Sequence, residues 1–166
     1  MTFHAGTALH GQAHVATFQG DLTTAIALCE RALVEAEARE DPVIGLRILL
    51  ARARLESGDL DAALAGARAA AEVVDPQHYP QLANRIDTLL GDVLRQRGDP
   101  AGAEACFRRS LERSEVLEPS VVTTQKLNIG AALQDQGRYE EGRALLRQAA
   151  EKLARDGRGH MEAVAC

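Results

Sequence analysis

His10 and His14 stand four residues apart, a spacing that on a helix puts both imidazoles on one face, near enough to share a transition metal. No carboxylate or cysteine lies close by in sequence to complete a ligand set, and His4 is a further turn and a half away. The pair reads rather as two imidazoles lining a groove or standing in solvent. Cys29, Cys106 and Cys166 are odd in number and unrelated in spacing, with no C-x-x-C, and the first two sit in apolar helical context as small core residues. There is no glycine-rich phosphate loop, no G-x-S-x-G elbow and no H-E-x-x-H. The carboxylates recur with the period of a solvated helix face. An enzyme is therefore not expected, and neither a metal nor a cofactor.

The elements that carry these residues are helices packed at short range. The chain has 166 residues, 46% hydrophobic but only 3% aromatic and without tryptophan, so a core must be built from Ala, Leu, Val and Ile. A formal net charge of −5 argues against a nucleic-acid footprint. No segment approaches the roughly 18 apolar residues of a membrane span, and the opening MTFHAGTALH lacks the pattern of a secretory signal. A cytoplasmic location with no membrane partner is expected.

The chain repeats itself. Gly20, Gly58, Gly98 and Gly137 stand 38, 40 and 39 residues apart, and a small residue follows each by five positions: Ala25, Ala63, Ala103 and Gly142. Two markers moving in register indicate a solenoid, whose units bury their apolar faces on one another. Each unit reads as a helix pair. Leu82, Ile86, Leu89, Leu90, Val93 and Leu94 keep helical spacing before the turn, and Ala103, Phe107, Leu111 and Val116 after it. Glycine suits the left-handed residue that ends the first helix, and Asp21, Asp59 or Asp99 caps the next. Pro100 fits a first helical position. Asp41-Pro42, Asp75-Pro76 and Glu118-Pro119 mark the joints between pairs. The units run approximately 5–41, 42–76, 77–118 and 119–156 within one array, with DGRG as a further joint and 157–166 opening a partial fifth helix. Met161, Ala163, Val164 and Ala165 give that end no polar cap, so the chain is expected to be a piece of a longer array or to dock its last helix on a partner or second copy.

These residues resemble the tetratricopeptide repeat family. The third unit carries Leu90-Gly91, Leu94, Gly98-Asp99, Ala103, Phe107 and Leu111; the first carries Leu9, Ala13, Gly20-Asp21, Ala25 and Ala32-Leu33. The second has Leu50-Ala51, Gly58-Asp59 and Ala63, and the fourth Ile129-Gly130, Leu133, Gly137, Tyr139 and Ala149. The resemblance covers about residues 7–155. A standard unit of the family has 34 residues, so these are longer and look like those of bacterial signalling proteins. Arg47, Asp87 and Lys126 depart from the pattern at its fourth position. Other helical-repeat families share the period and the helix–turn–helix unit.

The resemblance implies an all-α solenoid, a right-handed superhelix of antiparallel helix pairs whose first helices line a concave groove. Carried onto this chain, the groove positions include His10, His14, Phe18, Arg52, Leu55, Arg85, Asp92, Arg95 and Gln134. The function so implied is a non-catalytic scaffold for a protein or peptide, an acidic one where the arginines fork onto its carboxylates. Pairing of Asp92 with Arg95 or Arg85 is the rival use of those charges. The paired Lys and Asn of the family's chaperone-tail clamp are not found here. Two other readings stand beside the scaffold: a ligand- or peptide-sensing segment of a larger bacterial transcriptional or signalling regulator, and a self-assembling module whose end helices stack into a homo-oligomer.

Overall fold

A computed structural model of the chain describes residues 5–37, 43–117 and 119–164, with side chains for 8–36, 43–114 and 121–155. The described residues form eight helices: α1 (Ala5–Phe18), α2 (Leu22–Glu37), α3 (Ile44–Glu56), α4 (Leu60–Val73), α5 (Pro80–Gln96), α6 (Pro100–Leu117), α7 (Pro119–Asp135) and α8 (Tyr139–Val164). None is long and apolar enough to cross a membrane. The contacts divide what reads in sequence as one array into two compact units, residues 1–79 and 80–166. In the first, α1 packs on α2, α2 on α3 and α3 on α4; in the second, α5 packs on α6, α6 on α7 and α7 on α8. Each unit is thus two stacked helix pairs, the local plan of an all-α solenoid.

Within each pair the turn has one chemistry. Gly20, Gly58, Gly98 and Gly137 take φ of +78°, +85°, +81° and +77°, a region that any side chain would strain. The amide of each glycine donates three residues back, as Gly98 N to Arg95 O at 3.1 Å, and the next amide donates five back, as Asp99 N to Leu94 O at 2.9 Å. This double bond satisfies carbonyls that the ending helix leaves open. The following aspartate closes the next helix's N-terminus: Asp21, Asp59 and Asp99 accept from the amides of Thr24, Ala62 and Gly102 at 3.1, 3.2 and 2.9 Å. Arg138 stands at that position in the last turn and turns its guanidinium to Glu141 and Glu104 instead.

The crossing of each pair follows from a second size rule. Seven residues before and nine after the turn glycine, facing residues divide a fixed space in three of the pairs: Ala13 with Cys29, Gly91 with Phe107 and Gly130 with Leu146. Where the second residue is large, the first is glycine. A Cβ built on Gly91 would lie 2.7 Å from Phe107 Cδ1 and Cζ, and one on Gly130 would lie 2.8 Å from Leu146 Cγ. The small residue five after each turn glycine is buried too, Ala25, Ala63 and Ala103 fully. A Cβ on Gly142 would come within 2.9 Å of the Gly130 carbonyl.

The second unit also holds buried polar groups. Glu104 accepts from Arg108 Nε and Arg138 Nη1 at 2.9 Å each and from Gln136 Nε2 at 2.8 Å, tying α6 to the α7–α8 turn. Burial raises its pKa, but the bonds from Gln136 and Arg108 and the charges of Arg108 and Arg138 outweigh that, and the carboxyl is held below its ordinary value.

One expectation is corrected by the backbone. Helix α8 runs unbroken from Tyr139 to Val164, so residues 157–164 prolong the second helix of the fourth pair and open no fifth. Unlike the other joints DGRG has no proline, and isolated glycines cost a helix only about 1 kcal/mol each against alanine. Helix α5 begins at Pro80, because Asp75 first closes a turn by accepting from the Gln77 amide at 2.8 Å. The Asp41-Pro42 joint, Glu118 and Cys166 lie outside the described residues.

Gly91→Ala is expected to destabilise the second unit by about 1–3 kcal/mol through overpacking. Adding Phe107→Cys, which copies the Ala13–Cys29 pair, should cost less than the sum of the two single changes; simple additivity in urea unfolding would refute the shared space. Glu104, with its lowered folded pKa, contributes stability that is fully present above the ordinary glutamate value of 4.5 and is lost as pH falls through the folded pKa. Thermal melts of Glu104→Gln should accordingly lose less stability than wild type on going from pH 6 to pH 3.

Candidate partner-binding faces

In the first unit, α1 carries His10, His14 and Phe18 at i, i+4 and i+8, one stripe along the helix. The imidazoles stack with centroids 4.9 Å apart and planes 26° from parallel. A Cβ on Gly45 of α3 would lie 3.6 Å from His10 Cε1, an ordinary contact, so the His10 ring lies against α3. His14 is exposed and Phe18 is 95% exposed. Arg52 is half-buried on α3. Leu55 is only 3% exposed and belongs to the core, which removes it from any accessible face.

In the second unit, Arg85 is exposed, Asp92 half-buried and Arg95 exposed on α5, and Gln134 is half-buried on α7. Arg95 donates Nη1 to Asp135 of α7 at 3.2 Å. Intramolecular pairing of Arg95 therefore occurs, with Asp135 as the partner. Being exposed on both sides, this ion pair is weak and exchangeable.

Among the described residues no group of three or more His, Cys, Asp or Glu is placed to hold a metal ion. Cys29 and Cys106 are buried free thiols. Burial, with Glu30 nearby, pushes the Cys29 thiol up to about 11, and burial raises Cys106 despite the adjacent Arg109. Neither offers a thiolate nucleophile near neutrality.

Two features escaped sequence reasoning. The first is a polar seam in the second unit. Asp87 accepts from Arg109 Nε and Nη2 at 3.2 and 2.8 Å and from Arg113 Nη2, while Arg113 Nε donates to Asn84 Oδ1 at 2.8 Å. Asn84 donates to Ser114 Oγ at 3.1 Å, and Gln125 donates to Thr88 Oγ1 at 2.9 Å. A carboxylate at a repeat position that is usually apolar was the available signal; its partners are 22 and 26 residues away. The second feature is an open groove of about 640 Å³ between α1 and α2, lined by Ala8, Gly11, Val15 and Leu28 among others. Small exposed residues leave no mark in a sequence.

Three tetratricopeptide repeat models match the chain, over residues 8–43, 48–116 and 122–155. No curated protein matches it. Among solved structures it is similar to BtubC (BKLC) from P. vanneervenii, at 17% identity and a TM-score of 0.51 over 90% of this chain and 80% of that one. At that identity the likeness is one of fold. With matches along nearly its whole length, eight helices in pairs and four turns of one construction, the chain belongs to the tetratricopeptide repeat family.

Proposed function

We propose that the chain is a non-catalytic scaffold that holds a protein or peptide segment along the exposed faces of its first helices. Tetratricopeptide repeats generally mediate protein–protein interaction, and the observation that carries the reading here is the His10–His14–Phe18 stripe. A phenylalanine that is 95% exposed at the end of a continuous row of rings is a ready anchor, since aromatic groups dominate binding where a partner can desolvate them. On the second unit the exposed Arg85 and the exchangeable Arg95–Asp135 pair favour a segment with carboxylates, which a guanidinium can grip with two donors at once. The interior of the chain is spent on packing its own helices, which leaves recognition to these outward side chains.

The test is capture from source-cell lysate with the wild-type chain and with a His14→Ala/Phe18→Ala variant and an Arg85→Ala variant of equal helicity, followed by affinity measurement on the captured partner. Loss of an anchor aromatic should weaken binding by about tenfold or more. The Arg85→Ala variant should bind more weakly and with a shallower salt dependence than wild type. Undiminished binding by both variants would rule out these faces.

A further inference from the structure

The repeat register tells which residues of a helix pair meet the next pair. In α3 the positions 12, 9, 8 and 5 residues before the turn glycine are Leu46, Leu49, Leu50 and Ala53, all buried. They pack on α2: Leu49 and Leu50 with Cys29, Ala53 with Ala25, Leu46 with Ala32 and Ala36. In α7 the same positions are Gln125, Asn128, Ile129 and Ala132, and the last two pack with Phe107 of α6. These positions are the socket for the preceding second helix.

In α1 the same four positions are Ala8, Gly11, Gln12 and Val15. All four are exposed, Val15 to 56%, and they form the α1 wall of the open groove. A Cβ on Gly11 would meet nothing within 4 Å. Among the described residues nothing fills this socket. It lies on a different side of α1 from the His10–His14–Phe18 stripe, as the helical period requires.

The matching plug is found on α8. Positions 9, 13 and 16 after the turn glycine are Cys29, Leu33 and Ala36 in α2 and Phe107, Leu111 and Ser114 in α6, all buried or half-buried. In α8 they are Leu146, Ala150 and Leu153; Ala150 is exposed and Leu153 is 53% exposed.

We propose that α8 of one copy seats in the α1–α2 groove of a second copy, as α2 seats on α3 and α6 on α7. Each joint is head-to-tail, so a copy bound through its groove still presents its own α8, and assembly continues until a ring closes or a filament grows. The burial is of the kind the fold already makes internally, with the register seen where α2 seats on α3.

The test is sedimentation velocity on the full chain over about a hundredfold range of concentration. The wild type should shift to larger species as concentration rises. Val15→Glu in the socket and Leu153→Glu in the plug, both at exposed positions, should each remain monomeric with unchanged circular dichroism, and Gly11→Trp, which fills the groove without charge, should match Val15→Glu. An equimolar mixture of Val15→Glu and Leu153→Glu keeps one intact plug and one intact socket. It should give a two-chain species and nothing larger. A wild type that stays monomeric throughout, a variant that associates as the wild type does, or a mixture that stays monomeric would each overturn the proposal, the first leaving the groove to a helix of another protein.

Discussion

Everything in this chain depends on how close two helices of a pair can come. The space at a crossing is shared by one residue from either helix, and the sum of the two is limited: alanine with cysteine, glycine with phenylalanine or leucine. Interiors at crystal-like density have no slack with which to absorb an extra methyl group at such a place. The left-handed glycine and the double amide bond at each turn set the two helices at the start of that contact, and in three of the turns an aspartate cap accepts an opening amide of the second helix. Turn, cap and crossing are three local solutions that reinforce one another. With the turn made four times and the cap three, they account for the architecture with little help from aromatic side chains.

The two units then reach their cores by different means. The first is held by Ala, Leu, Ile and Cys, with contacts small enough for every helix to approach its neighbour. The second adds carboxylates that have given up most of their water: Asp87 takes two arginines and Glu104 takes two arginines and an amide. Such pairs barely repay their desolvation, but removing one partner leaves a buried charge uncompensated. Their contribution is to geometry more than to net stability. Gln125 Oε1, buried without a hydrogen-bond partner, shows that this seam is satisfied only in part.

Function is written on what remains outside. The first helix, α1, divides its surface three ways: a buried face toward α2 and α3, a stripe of rings, and a row of small residues over the groove. A single helix can serve three neighbours because its period sends each set of side chains in its own direction. Chains built this way acquire binding specificity by changing exposed residues while the crossing rule protects the fold.

How much of this was legible from residues alone follows from range. The turn glycines, the aspartate caps and the helix pairs are local chemistry, decided by φ preference and hydrogen bonds within six residues, and the sequence determined them by itself. The periodic small residues likewise declared the repeat and, through it, the family. Tertiary structure alone decided that Leu55 faces inward, that Asp87 takes two arginines of α6 while Glu104 takes one from its own helix and one from the α7–α8 turn, that Arg95 meets Asp135, and that α8 continues through two glycines. The contacts linking α5, α6 and α7 join residues some 20 to 40 positions apart, and an arginine on a helix surface has the same local signature whichever carboxylate it reaches. The open groove is the extreme case, for alanine and glycine identify a close approach only when the helix that makes it, or is missing from it, can be seen.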